Sequence, residues 1–151
     1  VSLPAATTPS IPAMSTQAIE RVRALESAVR ELPQAEIATG HVIHGGLYAR
    51  TIRIPAGVVL TGVLIKIPTV VIVNGDVLVA TEGEPMHLVG YHVLPASAGR
   101  KQAFIANADT DLTMIFPSRA EDVATAEGEF TDEADQLFSH HGENTITITG
   151  E

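Results

Sequence analysis

Cysteine and tryptophan are both missing from this chain, and only two Tyr and four Phe supply larger aromatic rings. Without cysteine there is no disulfide, no thiol nucleophile and no iron–sulfur ligation. With so few rings the core must be built from Val, Ile, Leu and Ala, and little is left for stacking on sugars or splayed bases. Basic charge is scarce as well: nine Lys and Arg face eighteen Asp and Glu, a net charge of −9. From Asp109 to Glu143 ten acidic residues surround a single Arg119. Such a stretch repels phosphates, so nucleic acid is not expected as a direct partner. It reads as a solvated acidic surface, the alternative being a dock for a basic partner. No apolar run approaches the ~18 residues of a membrane span. The N-terminus has neither the basic region nor the hydrophobic centre of a secretory signal, so a cytoplasmic origin is expected.

What is present fits one hydrophobic core in 151 residues. Residues 1–13 hold three Pro among small residues and read as a flexible or extended N-terminal arm. Residues 14–33 predict an amphipathic helix, started by Ser15 or Thr16 and stopped before Pro33. Its apolar stripe is Ile19, Val22, Val29 and Leu32, with Leu25 close by. The stripe would cover an open edge of the β domain or, alternatively, lie across a subunit interface.

From residue 37 to 118 the period becomes two, and short β-branched runs alternate with Gly and Pro turns. Strands are predicted over Leu47–Ile54, Val58–Ile67, Val70–Val73, Val77–Ala80, His87–Leu94, Lys101–Ala106 and Thr110–Phe116. Asn74-Gly75 predicts a hairpin turn. This is an all-β pattern of the sandwich or barrel kind. Residues 119–151 read as an acidic C-terminal arm holding a short helix or strand, with Thr145–Thr149 as a last strand pairing with a neighbour.

Gly45-Gly46-Leu47-Tyr48-Ala49-Arg50, then Ile54-Pro55-Ala56-Gly57 and Leu60-Thr61-Gly62, resemble the small single-domain cupins encoded by bacteriophages and prophages. The resemblance runs over about residues 15–135 and includes Asn74-Gly75, Pro95 to Lys101 and Asp109-Thr110. It implies a cupin-like jelly roll. Relatives of this kind hold a divalent metal through His and Glu side chains, and the positions matching those ligands here are Ile65, Pro68 and Thr69. In the second motif Gly99 is followed by Arg100, Lys101 and Gln102, with no His. Ile and Pro offer no lone pair, so neither a metal nor any other cofactor is expected.

Other chemistry finds little support. His41 and His44 fall on opposite faces of a regular strand, as do His87 and His92, and His140-His141 sits near the C-terminus. No nucleophile elbow and no phosphate loop is present, so no catalytic residue is assigned and the chain is not expected to be an enzyme. Lys66, Arg100 and Lys101 are the candidate ligand residues, weighed against surface charge or salt bridges to the acidic end. Arg50 and Arg53 suggest a polar rim. Ile19, Val22, Leu25 and Val29 are the candidate interface.

The first functional expectation is a structural virion protein. It would be a cement or decoration protein on the capsid surface, assembled in the host cytoplasm, bound to a major capsid protein and paired as a homodimer or trimer. The alternative is a metal-free cupin binding a small acidic ligand. A sugar isomerase or epimerase comes third.

Overall fold

The computed structural model describes residues 9–150. Residues 1–8, most of the expected arm, lie outside the described residues. Ile11, near its end, is buried and bridges to Ala96 in parallel fashion.

Helix α1 (Thr16–Arg30) starts where its cap dictates: Ser15 is extended and its hydroxyl oxygen accepts the Ala18 N–H at 3.1 Å. The face it buries is narrower than the apolar stripe suggests. Met14, Ala18 and Val22 pack with Ala103 of the chain's own sheet, and Ile19 sits half-buried at the margin. Leu25 and Leu32 are exposed and Val29 is half-buried.

Eight strands follow: β1 (Thr39–His44), β2 (Leu47–Ile54), β3 (Val59–Thr61), β4 (Thr69–Val79), β5 (Met86–Ala96), β6 (Ala103–Ala106), β7 (Thr110–Pro117) and β8 (Asn144–Ile148). They form one curled, cupin-like jelly-roll sheet in the order β3-β6-β4-β7-β2-β1-β8, with β5 along the other edge of β4. The curl comes from β4. Val70 to Asn74 pair with β7, whereas Val77 to Val79 pair with β6. The strand therefore changes neighbours at Gly75-Asp76.

That change corrects the hairpin expected at Asn74-Gly75, because the pair lies within the continuous strand β4. A Cβ on Gly75 would sit 2.7 Å from Thr110 Cα and 2.8 Å from Asp109 O, and would also meet the Thr110 hydroxyl. Glycine is required there because another backbone passes close by. The predicted strand over Val58–Ile67 also shrinks. Only Val59–Thr61 is regular, and Ile65 adds a single bridge to Arg100.

Alternation places Tyr48, Arg50, Ile52 and Ile54 of β2 inward, with Val71, Val73, Val77 and Val79 of β4 opposite the same interior. Each such aliphatic side chain contributes roughly 1.5–3 kcal/mol by leaving water. On the outer face of β5, Val89, Tyr91 and Val93 are exposed. After β7 the chain forms α2 (Val123–Phe130), capped by Asp122 on the Thr125 N–H at 2.7 Å, and then two short 3-10 turns. Phe130 and Leu137 from this acidic segment are buried against Tyr48 and Phe116. β8 pairs in parallel with β1 of its own chain, not with a neighbour. Among the described residues no helix is long and apolar enough to cross a membrane.

Candidate functional site

The three candidate cations have three different fates. Lys66 is exposed and pairs with Asp132 at 2.6 Å. Lys101 has no exposed surface, and its ammonium donates to Glu26 Oε2 at 2.9 Å and to Gly62 O at 2.8 Å. It therefore fastens α1 to the sheet. Arg100 is only 1% exposed, yet no carboxylate lies within salt-bridge distance of it among the described residues. The sequence favours surface charge or salt bridges to the acidic C-terminal stretch for all three residues; Lys66 makes such a bridge, and the burial of Arg100 and Lys101 corrects the reading for those two.

The local backbone makes this arrangement. Gly99 has φ 81°, a left-handed conformation that suits glycine. Beyond it the chain runs extended against residues 62–65, with Ile65 N–H donating to Arg100 O at 2.8 Å and Gly62 N–H to Gln102 O at 2.8 Å. Extended backbone alternates its side chains. Arg100 and Gln102 thus line a half-open cavity, while Lys101 reaches the other way to Glu26.

Arg100 Nη1 donates to Ser97 O at 2.9 Å and Nη2 to Thr69 Oγ1 at 2.8 Å. Among the described residues, the only other hydrogen-bond partner of Nη2 is the Met114 thioether at 3.8 Å. Nε has no partner, and neither has Gln102 Nε2. The remaining orphan among the described residues, Thr39 Oγ1, is on β1 and does not line the cavity. Both residues that carry an unpaired side-chain nitrogen therefore line one cavity. Burial without a counter-ion pushes the Arg100 guanidinium down to about 10.

The cavity measures about 100 Å³, and its other walls are mainly apolar, including Ile52, Leu60, Val71, Phe104 and Leu112. It also meets Arg50, expected on a polar rim but buried within the sheet. Arg50 is neutralised: it donates to Glu127 Oε2 at 3.0 Å and lies 5.7 Å from the Phe130 ring centre. Glu127 also accepts from Ser139, and His140 Nε2 is 3.0 Å from its other oxygen. Burial raises the Glu127 pKa, but these bonds and Arg50 outweigh it and hold the carboxyl below its usual range.

The network continues through Tyr48. Its hydroxyl is 2.7 Å from His41 Nδ1, and His41 Nε2 is 2.7 Å from Asn144 Oδ1. Asn144 Nδ2 donates to Ser139 O, so its oxygen must accept and the neutral imidazole carries its proton on Nε2. Burial lowers the His41 pKa. Sequence reasoning does not bring these partners together. The inward parity that Arg50 shares with Ile52 and Ile54 is the available signal.

The other expected residues are spread out. His44 faces Thr149, His87 faces Asp76, and His92 meets its own Val89 carbonyl. Arg53 forms an exposed fork on Asp111. A wider groove of about 580 Å³ adjoins the cavity and shares Leu60, Thr61, Val63, Gln136 and Phe138 with it. Val29 also lines this groove.

A divalent metal does not fit the cavity. Of the positions matching the cupin ligands, Ile65 lines it without a donor atom, Thr69 already accepts from Arg100, and Pro68 is exposed. The polar side chains that line it, Arg50, Thr61, Gln102 and Gln136, include no carboxylate, imidazole or thiolate and accompany the uncompensated Arg100 guanidinium, which repels a cation.

No protein-family model matches the chain, and no curated protein matches its sequence. Among solved structures it is similar to salicylate 1,2-dioxygenase from Pseudaminobacter salicylatoxidans, at 19% identity and TM-score 0.46, over 66% of this chain and 31% of that one. It is also similar to the cupin domain of an XRE-family transcriptional regulator from Enterobacter cloacae, at 14% identity and TM-score 0.41, over 49% and 84% of the two chains. A cupin-2 domain protein from Shewanella frigidimarina shows 12% identity and TM-score 0.42, over 62% and 91%. The chain thus spans under a third of the dioxygenase's length. These likenesses extend to fold alone. The expectation of a capsid cement protein on a virion surface is corrected: these three similar structures are a bacterial dioxygenase and two bacterial cupin-domain proteins, and none is a viral shell component.

Proposed function

We propose that the chain is a metal-free cupin-type binding protein that holds a small organic anion inside the curled sheet, with Arg100 as its counter-ion. One observation carries this reading: Arg100, 1% exposed, with an orphan Nε–H and no acidic partner among the described residues, lines a mainly apolar cavity. A buried charge without a partner costs several kcal/mol, and a bound carboxylate or similar group would supply the missing charge. Arg50 does not need one, because Glu127 already neutralises it.

The role is binding without turnover. The cavity wall offers Arg and Gln donors and one Thr hydroxyl, and among the described residues its lining contains no His, Asp or Glu to move a proton. Entry would be through the adjoining groove, past Gln136 and Phe138. The test is calorimetric titration of the full chain with a panel of organic acids, repeated on Arg100→Met. Saturable one-to-one binding that disappears in the variant supports the reading. Equal binding by both proteins, or by neither, removes it.

A further inference from the structure

We infer that the ligand is a short aliphatic monocarboxylate of two or three carbons; this rests on the proposed anion site and deepens it. Three independent features of the cavity set the class. The first is charge. Two guanidiniums meet the cavity, and Arg50 is matched by Glu127 at 3.0 Å, so a single positive charge is left over. One negative charge satisfies it. A dicarboxylate or a phosphate would bring a second charge into an apolar wall with nothing to meet it.

The second feature is the donor set. The orphan donors are one guanidinium N–H and one side-chain amide, Arg100 Nε and Gln102 Nε2. A planar carboxylate has two oxygens, one acceptor for each. A charged donor to a carboxylate makes the stronger kind of hydrogen bond, and the neutral amide adds direction without adding charge. A neutral amide or alcohol would leave the guanidinium uncompensated.

The third feature is volume. A cavity of ~150 Å³ holds the six carbons of benzene. Scaling to the 100 Å³ found here leaves room for about four non-hydrogen atoms, a little more as side chains adjust. A carboxylate takes three, so the remainder is a short alkyl stub against Leu60, Val71 and Leu112. Longer acids and aromatic acids exceed this space and would have to leave their tails in the groove, beside Glu36 and Asp135.

The experiment titrates the full chain with acetate, propionate, butyrate, hexanoate, benzoate, succinate and inorganic phosphate, and with propionamide as the neutral isostere. Affinity is expected to peak at acetate or propionate. It should fall at least tenfold for hexanoate, benzoate, succinate, phosphate and propionamide. Leu112→Ala, which enlarges the cavity, should move the optimum toward longer acids by one or two carbons. Arg100→Lys, which retains charge but loses the Nε–H, should weaken propionate binding about three- to tenfold and serves if the Met variant does not fold. Best binding of hexanoate, benzoate or succinate, lost on Arg100 substitution, overturns the short-acid class while the anion site stands. Absence of binding by every anion tested overturns both.

Discussion

At the scale of single residues, the proposed anion site costs stability at Arg100. A base whose pKa is lowered on folding binds fewer protons folded than unfolded. Its penalty is therefore present in full below pH 10 and is relieved as pH rises past that value. A fall to about 10 corresponds to a penalty of about 3 kcal/mol. Arg100→Met, similar in length and apolar, should accordingly unfold in urea with about 1–3 kcal/mol more stability than the natural chain at pH 7. The difference should narrow above pH 10. A variant less stable at pH 7 would show that the guanidinium is already satisfied and that no counter-ion is needed. Arg100 is visible in the sequence as a cation after a glycine, but its burial is not. Nothing local distinguishes it from Lys66, which sits exposed beside Asp132. The separation comes from Gly99 turning the chain inward and from the pairing of residues 100–102 with residues 62–65, contacts far apart in sequence.

At the scale of elements, helix α1 is held as much by Glu26 as by its apolar face. Glu26 Oε2 accepts from buried Lys101 and from Thr61, and Oε1 from Arg30. Glu26→Ala would strand the Lys101 ammonium with Gly62 O alone, and a loss of about 3–5 kcal/mol in chemical denaturation is expected. The double change Glu26→Leu with Lys101→Met should recover most of it. If the single change costs under about 1 kcal/mol, the range of an exposed pair, the ion pair does not hold the helix. The helix itself is legible in the sequence because a cap and a 3.6 period are local signals. Its buried face is not, since an inward-facing Glu reads as solvent-facing until its lysine partner is seen 75 residues away. Asn74-Gly75 misleads for a similar reason: turn propensity is local, but close approach of Thr110 is not.

The C-terminal segment is tied down by groups that acid undoes. Folding lowers the pKa of both His41 and Glu127, so both bind fewer protons folded than unfolded, and stability falls as pH falls. The His41 contribution begins to be lost near 6.5, its ordinary value, and that of Glu127 near 4.5. Thermal melts from pH 7 to 5 should show a decline in the natural chain that is reduced in His41→Gln. Comparing the two proteins separates His41 from His140, which faces Glu127 in both. Parallel curves would assign the acid loss elsewhere.

At the scale of the whole molecule, the cavity and its surroundings carry opposite signs. The chain has a net charge of −9, and Glu36 and Asp135 line the groove that adjoins the cavity. An approaching carboxylate is therefore repelled at long range and attracted only once inside. Salt acts on the two stages unequally. The screening length shrinks from ~30 Å at 0.01 M to ~8 Å at 0.15 M, whereas a buried pair is screened far less. Raising ionic strength from low to physiological should thus speed propionate association severalfold while dissociation changes by less than about twofold, and affinity should rise with salt. This is the reverse of what an exposed cationic patch would give. Line-shape analysis of propionate resonances at several ionic strengths measures both rates. A parallel series in sodium sulfate separates screening from competition by chloride, since a dianion does not suit the single charge of Arg100. Association that slows with salt in both series would place the anion on the surface rather than in the cavity.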